Sequence, residues 1–198
     1  EASCGGAVEI SYNVSGNEIA ETLSLTITDC SFADNTAYLN GGAVSGRLAQ
    51  LSVEGGVFVE NQARSGGGVY LTEGEMNIGN STFTLNTATG IQRFHQTVSG
   101  EGQGGGIACM NAKADIWNCR FAENKAQGQT GQGGAINFTN GDILWTHEVS
   151  NCLFDGNWAQ ESGGAIAAKV GSSPSVEFCT FADNTVGEAG GALYIGPN

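Results

Sequence analysis

The chain has 198 residues, 40% of them hydrophobic, which suits a single domain with its own core. Its 20 acidic and 7 basic residues give a formal net charge of −13, which argues against nucleic acids and anionic membranes as partners. No apolar run reaches the roughly 18 residues that a membrane-spanning helix requires, so membrane insertion is not predicted either.

The first coil of the chain begins with two short strands separated by a long loop. Val8 and Ile10 follow a Gly-Gly pair and alternate with polar residues, a pattern typical of a strand with one buried face. Residues 9–24 are predicted to form an outward loop. A second alternating strand follows at Leu25 and Ile27.

A third strand and a turn complete this coil. Asp29 breaks the alternation, and Cys30 and Phe32 then form a Cys-x-Phe strand. Asn35 comes next, and asparagine tolerates the left-handed backbone of a tight turn, so we predict that the chain turns at this residue. Each coil is therefore predicted to contain three short strands and three turns.

Two motifs repeat this order along the whole chain. A Gly-Gly-(Ala/Gly)-aliphatic motif occurs seven times, beginning at Gly5, Gly41, Gly66, Gly104, Gly133, Gly163 and Gly190. A Phe-x-x-Asn motif alternates with it six times, at Phe32/Asn35, Phe58/Asn61, Phe83/Asn86, Phe121/Asn124, Phe154/Asn157 and Phe181/Asn184. The shortest repeat is 25 residues, from Phe58 to Phe83, which is too short for a strand pair with a crossover helix.

Such coils are stable when they stack, because one coil cannot bury its own apolar face. Stacking at about 4.8 Å places the six phenylalanines in an interior ladder and the six asparagines along one corner, where their amides bridge from coil to coil. The sequence therefore predicts an all-β fold, a right-handed single-stranded parallel β-helix of about seven coils, forming one domain over residues 1–198.

Later coils show the same elements with two more insertions. Residues 87–103 and 137–150 are predicted to form outward loops. In the last coil, Val176 and Phe178 form the second alternating strand and are predicted to share its apolar face.

Small residues two positions before the phenylalanine are predicted to point inward. They include Cys30, Ser81, Cys119, Cys152 and Cys179. Cys119, Cys152 and Cys179 lie in successive coils, close enough for a disulfide between neighbours. Buried thiols that act as small hydrophobic residues are at least as good an interpretation.

Three Asn-x-Ser/Thr sequences, at Asn13, Asn80 and Asn137, are candidate N-glycosylation sites if the protein is a eukaryotic secreted glycoprotein. Of the three, Asn80 is predicted to lie at a corner of the coil. In a bacterial protein these sequences would carry little meaning.

The segments Cys119-Arg-Phe-Ala-Glu-Asn124 and Gly133-Gly-Ala-Ile136 resemble the chlamydial polymorphic membrane protein repeat, as do Cys179–Asn184 and Gly190–Leu193. The resemblance extends over almost the whole chain and implies a right-handed parallel β-helix. In that family the helices are autotransporter passengers at the cell surface with roles in adhesion. Related repeats also occur in secreted proteins.

Enzymatic alternatives find little support in the sequence. A polysaccharide lyase or other carbohydrate-active enzyme needs a compact acidic and basic cluster, whereas the acids before the corner asparagine form an interrupted column of Asp34, Glu60, Glu123 and Asp183. That column favours a solvated edge, with calcium as the one cofactor to consider and no other predicted. His95 and His147 lie in predicted insertions without an evident catalytic partner.

We therefore predict a non-enzymatic, extracellular structural or adhesive module, located outside the cell or at its surface. It would be a segment of a longer rod or a filament subunit, whose partners are a second copy stacked head to tail, a host or cell-surface protein, or a glycan. A carbohydrate-binding module is a further alternative and would require exposed Trp117, Trp145 and Trp158.

Overall fold

Every regular element of the described chain is a β-strand, and nearly all of the strands stack into four parallel sheets. The computed structural model describes residues 2–11, 23–90, 102–139, 145–169 and 171–196. Equivalent strands of successive coils hydrogen-bond to one another in sheets of seven, six, six and five strands. The predicted parallel β-helix of about seven coils is confirmed.

The strands divide by their place in the coil. The Gly-Gly sheet contains Val8–Ser11, Val44–Arg47, Val69–Thr72, Ile107–Met110, Ile136–Thr139, Ile166–Ala168 and Leu193–Ile195. The middle sheet contains Leu23–Thr28, Ala49–Glu54, Glu75–Gly79, Lys113–Trp117, Trp145–Ser150 and Ser172–Glu177.

The other two sheets carry the Phe-x-x-Asn motif. The Phe sheet contains Ser31–Ala33, Val57–Val59, Thr82–Thr84, Arg120–Ala122, Leu153–Asp155 and Thr180–Ala182. The short sheet, which follows the asparagine, contains Gln62–Ala63, Thr87–Ala88, Lys125–Ala126, Trp158–Ala159 and Thr185–Val186. A separate pair, Ala2–Cys4 with Ala37–Asn40, begins the stack.

The coil has four strands where three were predicted. The short sheet was missed because strands of two residues carry no alternation that a periodicity argument can detect. They form because the preceding asparagine fixes the backbone, so that the two residues after it pair with the coils on either side, as Lys125 and Ala126 do with Trp158 and Ala159.

The left-handed turn at the Phe-x-x-Asn motif lies one residue earlier than predicted. The residue before the asparagine has positive φ in every coil: Asp34, Glu60, Leu85, Glu123, Gly156 and Asp183, at 51° to 62°. The predicted turn residues themselves are absent from the residues with positive φ: Asn35, Asn61, Asn86, Asn124, Asn157 and Asn184. The prediction of a left-handed turn at the asparagine is therefore wrong, and the acidic column is the one that bears the turn.

Glycine is required at the Gly-Gly corner by a close approach between coils. A Cβ on Gly134 would lie 2.1 Å from the carbonyl oxygen of Gly164, well inside van der Waals contact. The equivalent glycines of the other coils up to Gly164 meet the next coil in the same way. No other residue type fits at this position without separating the coils.

The predicted outward loops contain fewer residues than expected, because strands extend into the predicted ranges. Parts of 9–24, 87–103 and 137–150 are strands. Residues 12–22, 91–101 and 140–144 of these predicted loops lie outside the described residues, as does His95.

Phe178 does not lie on the buried face that was predicted for it. Val149 pairs with Val176, and Val176 continues the inward column, whereas Phe178 falls two residues later at the corner, with φ 54° and 86% exposure. The prediction counted alternation one step past the end of the strand Ser172–Glu177.

Candidate functional site

Two ladders of like residues run through the interior of the coil stack, beside a core of buried aliphatic side chains. Five ring pairs join the six motif phenylalanines, with centroids 4.5 to 5.0 Å apart and ring planes within 11° of parallel. The four central rings, Phe58, Phe83, Phe121 and Phe154, are fully buried. This column leaves little space in the interior for a ligand.

The motif asparagines form a second column, the buried amide ladder. In the central coils, each side-chain Nδ2 donates to the Oδ1 of the next asparagine and to a phenylalanine carbonyl of the preceding coil. For Asn124 these bonds are 3.0 Å to Asn157 and 2.9 Å to Phe83. The Oδ1 of Asn124 in turn accepts from the backbone and side-chain nitrogens of Asn86, both at 3.0 Å. The ladder thus satisfies polar groups that would otherwise be buried without partners.

Asn61 shows how this ladder differs from the predicted row of turn residues. Its side chain has no exposed surface. Its Nδ2 donates at 2.9 Å both to Oδ1 of Asn86 and to the carbonyl of Phe32, and its Oδ1 accepts from the backbone nitrogen of Asn35 at 3.1 Å. The left-handed turn that was predicted for Asn61 belongs to Glu60. Asparagine is needed here because its amide can bond to the coils on both sides, and its burial keeps it from contacting an external ligand.

A further amide column lies on the surface, between the middle sheet and the Phe sheet. We call it the exposed amide ladder: Asn80, Asn118 and Asn151. All three residues have positive φ, and Nδ2 of Asn118 donates to Asn80 at 3.1 Å while Nδ2 of Asn151 donates to Asn118 at 2.7 Å. Asn80 donates onward to Glu54. Asparagine suits both tasks here, since it tolerates the left-handed region and carries an amide.

A groove of about 300 Å³ runs along this ladder. Its other wall is the outer face of the Phe sheet, where Arg120 and Leu153 lie. The Arg120 guanidinium lies 3.6 Å from Asp155, so its charge is partly balanced. Phe178 borders the groove at the coil after Asn151. Sequence reasoning missed this site, although counting back three residues from each motif phenylalanine aligns Phe178 with the three ladder asparagines.

Phe178 is unusual at its position. The other residues of this corner are Asp29, Gly55 and the three ladder asparagines, types that accept positive φ at lower cost. For a bulky residue the left-handed region costs roughly 1 to 2 kcal/mol. The ring gains little burial in return, since 86% of the residue is exposed.

Two of the predicted inward cysteines, Cys119 and Cys152, line the floor of the groove as free thiols. Cys119 and Cys152 are buried, Cys179 is half-buried and Cys30 is exposed, and all are unbridged, which matches the free-thiol alternative for Cys119, Cys152 and Cys179. The Sγ of Cys152 accepts from the backbone nitrogen of Cys119 at 3.4 Å. Hydrogen bonding to Cys119 and burial raise the pKa of the Cys152 thiol, so it stays protonated and weakly nucleophilic at neutral pH.

His147, predicted to lie in an insertion, is instead a core residue of the strand Trp145–Ser150. Its side chain is fully buried, and the imidazole stacks on Phe138 with centroids 4.2 Å apart. Burial lowers its pKa to about 4, with smaller effects from Asp115, which opposes the shift, and Lys113, which adds to it. This environment indicates packing, with the ring neutral at physiological pH.

We expect His147 to make the fold sensitive to acid. The pKa of His147 is about 4 in the folded chain and 6.5 in the unfolded chain, so the unfolded chain takes up the proton first as the pH falls. The free energy of unfolding is therefore at its full value above pH 6.5 and decreases as the pH falls toward 4. His147→Met, which copies Met76 at the equivalent position two coils earlier, should remove that loss. Urea unfolding at neutral and acidic pH should show the wild type losing about 3 kcal/mol more than the variant. Equal losses would contradict the assignment.

The remaining candidate residues do not converge on one site. Trp117 is half-buried, with its indole against Gly79, and Trp145 and Trp158 are also half-buried. Within the described ranges, no group of three His, Cys, Asp or Glu side chains could hold a metal ion, and calcium binding stays a prediction. No helix that could span a membrane occurs in the part of the chain that is described.

The glycosylation sequences differ in accessibility. Asn80 is exposed, whereas Asn137 is fully buried on the outer side of the Gly-Gly sheet, so its prediction is wrong for the folded chain. A glycan cannot be accommodated on an amide that has no exposed surface. Asn13 lies outside the described residues.

Comparison with known proteins identifies the repeat. The Chlamydia polymorphic membrane protein repeat matches residues 29–47 and 151–169, each spanning the Phe strand, the buried asparagine and a Gly-Gly strand. A relative described as probable outer membrane protein pmp6, from Chlamydia pneumoniae, is 30% identical in an alignment that covers 83% of this chain. The chain spans 14% of the length of that relative. No solved structure is significantly similar. The predicted cell-surface location is confirmed by this relationship.

Proposed function

Because the chain is built from the polymorphic membrane protein repeat, we propose that it is a non-enzymatic section of a β-helical rod that presents an adhesive outer surface. The observation that carries this proposal is the filled interior. The phenylalanine rings and motif amides of the central coils contact one another or the backbone, so a ligand must bind on the outside. The groove beside the exposed amide ladder offers an outer surface of that kind.

The enzymatic alternative is less favoured by the same geometry. Asp34, Glu60, Glu123 and Asp183 occupy one exposed corner in separate coils, where each bears a left-handed turn. A catalytic acid and base instead need a shared position close to one substrate atom. The acidic residues of this column therefore form backbone turns and a solvated surface.

Adhesion is tested with the fluorescently labelled chain on cultured animal cells. We expect saturable binding that unlabelled chain competes away, because a specific surface has a finite number of partners. An unrelated folded protein of similar size and net charge serves as the control for charge effects. Binding no greater than that control, or binding that unlabelled chain does not compete, would contradict the adhesive function.

Head-to-tail assembly is a second candidate, favoured by the last described coil. Its residues Leu193 and Ile195 are 39% and 58% exposed, a surface that a coil of a second copy would cover. A further coil of a longer chain would cover it equally well. Sedimentation velocity at rising concentration tests self-association of this chain: a constant monomer excludes assembly through this surface, and growing species that Ile195→Lys abolishes support it.

A further inference from the structure

The exposed corner combines three features that the coil stack does not require. The ring of Phe178 is exposed and held in the left-handed region, at a position where the preceding coils place asparagine. Phe178 also ends the exposed amide ladder, because it has no amide with which to bind Asn151. The Oδ1 of Asn151 is thereby left to accept from a donor outside the ladder.

The groove is not a site where an extended peptide could bind as an additional β-strand. The backbone at its floor is already paired between coils: the nitrogen of Asn118 donates to Ser150 at 3.1 Å, and that of Arg120 donates to Ser81 at 2.9 Å. An extended peptide therefore finds no free strand edge along the groove. Recognition has to use side chains, and those of the groove include three amides, one guanidinium, one aromatic ring and the hydroxyls of Thr82 and Thr180.

The charge of the groove favours a neutral ligand. Arg120 is 3.6 Å from Asp155, and the chain carries a net charge of −13, so a phosphate or polyanionic sugar gains little on approach. A cationic ligand would need acidic side chains in the groove, and the ladder offers amides instead.

We propose that this groove binds a neutral glycan, with one pyranose ring stacked on Phe178 and its hydroxyls bound by Asn118, Asn151 and Arg120. The C–H face of a pyranose is apolar and matches an aromatic face, while hydroxyls both donate and accept, as the amides do. A volume of about 300 Å³ accommodates a short oligosaccharide. This inference deepens the proposed adhesive function and rests on it.

The test is a panel of immobilised neutral oligosaccharides, probed with the labelled chain and with Phe178→Asn. That substitution continues the amide ladder, so the variant should fold with an equal or higher melting temperature. We expect the wild type to bind at least one glycan with a dissociation constant on the order of 1 mM. Phe178→Asn should weaken that binding at least tenfold, measured by titration with the free oligosaccharide.

Two further variants locate the site. Asn118→Gly, which copies Gly55 of the same corner, should also weaken binding, because it removes an amide from the middle of the groove. Val57→Thr, at an exposed position of the Phe sheet outside the groove, should leave binding unchanged.

The outcomes separate this inference from the adhesive function. Absence of glycan binding by the wild type, or equal binding by Phe178→Asn, overturns the glycan site. If Phe178→Asn still binds cells as the wild type does, adhesion stands and a protein partner elsewhere on the rod explains it. If the wild type binds glycans and fails to bind cells, the adhesive function fails while the glycan site stands.

Discussion

Replacing Asn124 by alanine is expected to lower the free energy of unfolding by about 3 to 5 kcal/mol, because several buried polar groups lose their partners together. The Asn124 side chain is fully buried and makes four hydrogen bonds of 2.9 to 3.0 Å. Alanine leaves the nitrogens of Asn86 and the carbonyl of Phe83 unpaired inside the stack. Urea unfolding followed by far-ultraviolet circular dichroism measures the loss.

The matched control is Asn118→Gly, which removes an amide from the exposed ladder of the same coil. Water replaces the lost hydrogen bonds there, and glycine accepts the positive φ of Asn118, so we expect a change within about 0.5 kcal/mol. A loss at Asn124 no larger than that at Asn118 would show that the buried ladder contributes little. Intermediate unfolding steps in Asn124→Ala would instead indicate that the stack separates at this coil.

The two interior ladders could be predicted from the sequence because each depends on a single recurring position. A phenylalanine and an asparagine three residues apart keep their mutual spacing in all six motifs, whatever the length of the loops between them. Parallel coils paired in register then place like residues above one another, as Phe83 lies between Phe58 and Phe121. The insertions differ in length between coils, but they lie outside the Phe-x-x-Asn motif and do not change its spacing.

Local backbone conformation could not be predicted to the same accuracy. Glu60 and Glu123 take the left-handed region although Asn61 and Asn124 are the better intrinsic candidates. Burying the asparagine amide stabilises the fold more than the turn preference of one residue costs. His147 illustrates the same limit, since a polar type in an apparent insertion lies in the core. Tertiary contacts decided all of these positions.

The candidate groove was hidden for a different reason. Its residues belong to separate coils and come together through stacking, so no contiguous motif describes them. Phe178 also mimics a core residue in any count of alternating apolar positions. A register that is anchored on the motif phenylalanine places it correctly, which makes the repeat frame a better guide to surface sites than local periodicity.

Replacing Phe121 by alanine is expected to cost about 4 kcal/mol, because it opens a cavity in the middle of the phenylalanine ladder. Its ring is fully buried between Phe83 and Phe154, each with its centroid 5.0 Å away. The neighbouring backbones are held apart by coil-to-coil hydrogen bonds, so the cavity cannot close. The measurement is again the free energy of unfolding in urea.

Phe181→Ala provides the same chemical change at the last ring of the phenylalanine ladder. Phe181 is half-buried and stacks on one ring, Phe154, at 4.9 Å, so its replacement should cost roughly half as much as that of Phe121. Equal losses at the two positions would contradict this expectation, because Phe181 has both less apolar burial and one stacking partner fewer than Phe121. A larger loss at Phe121 shows that a central coil, with neighbours on both sides, holds the rod together.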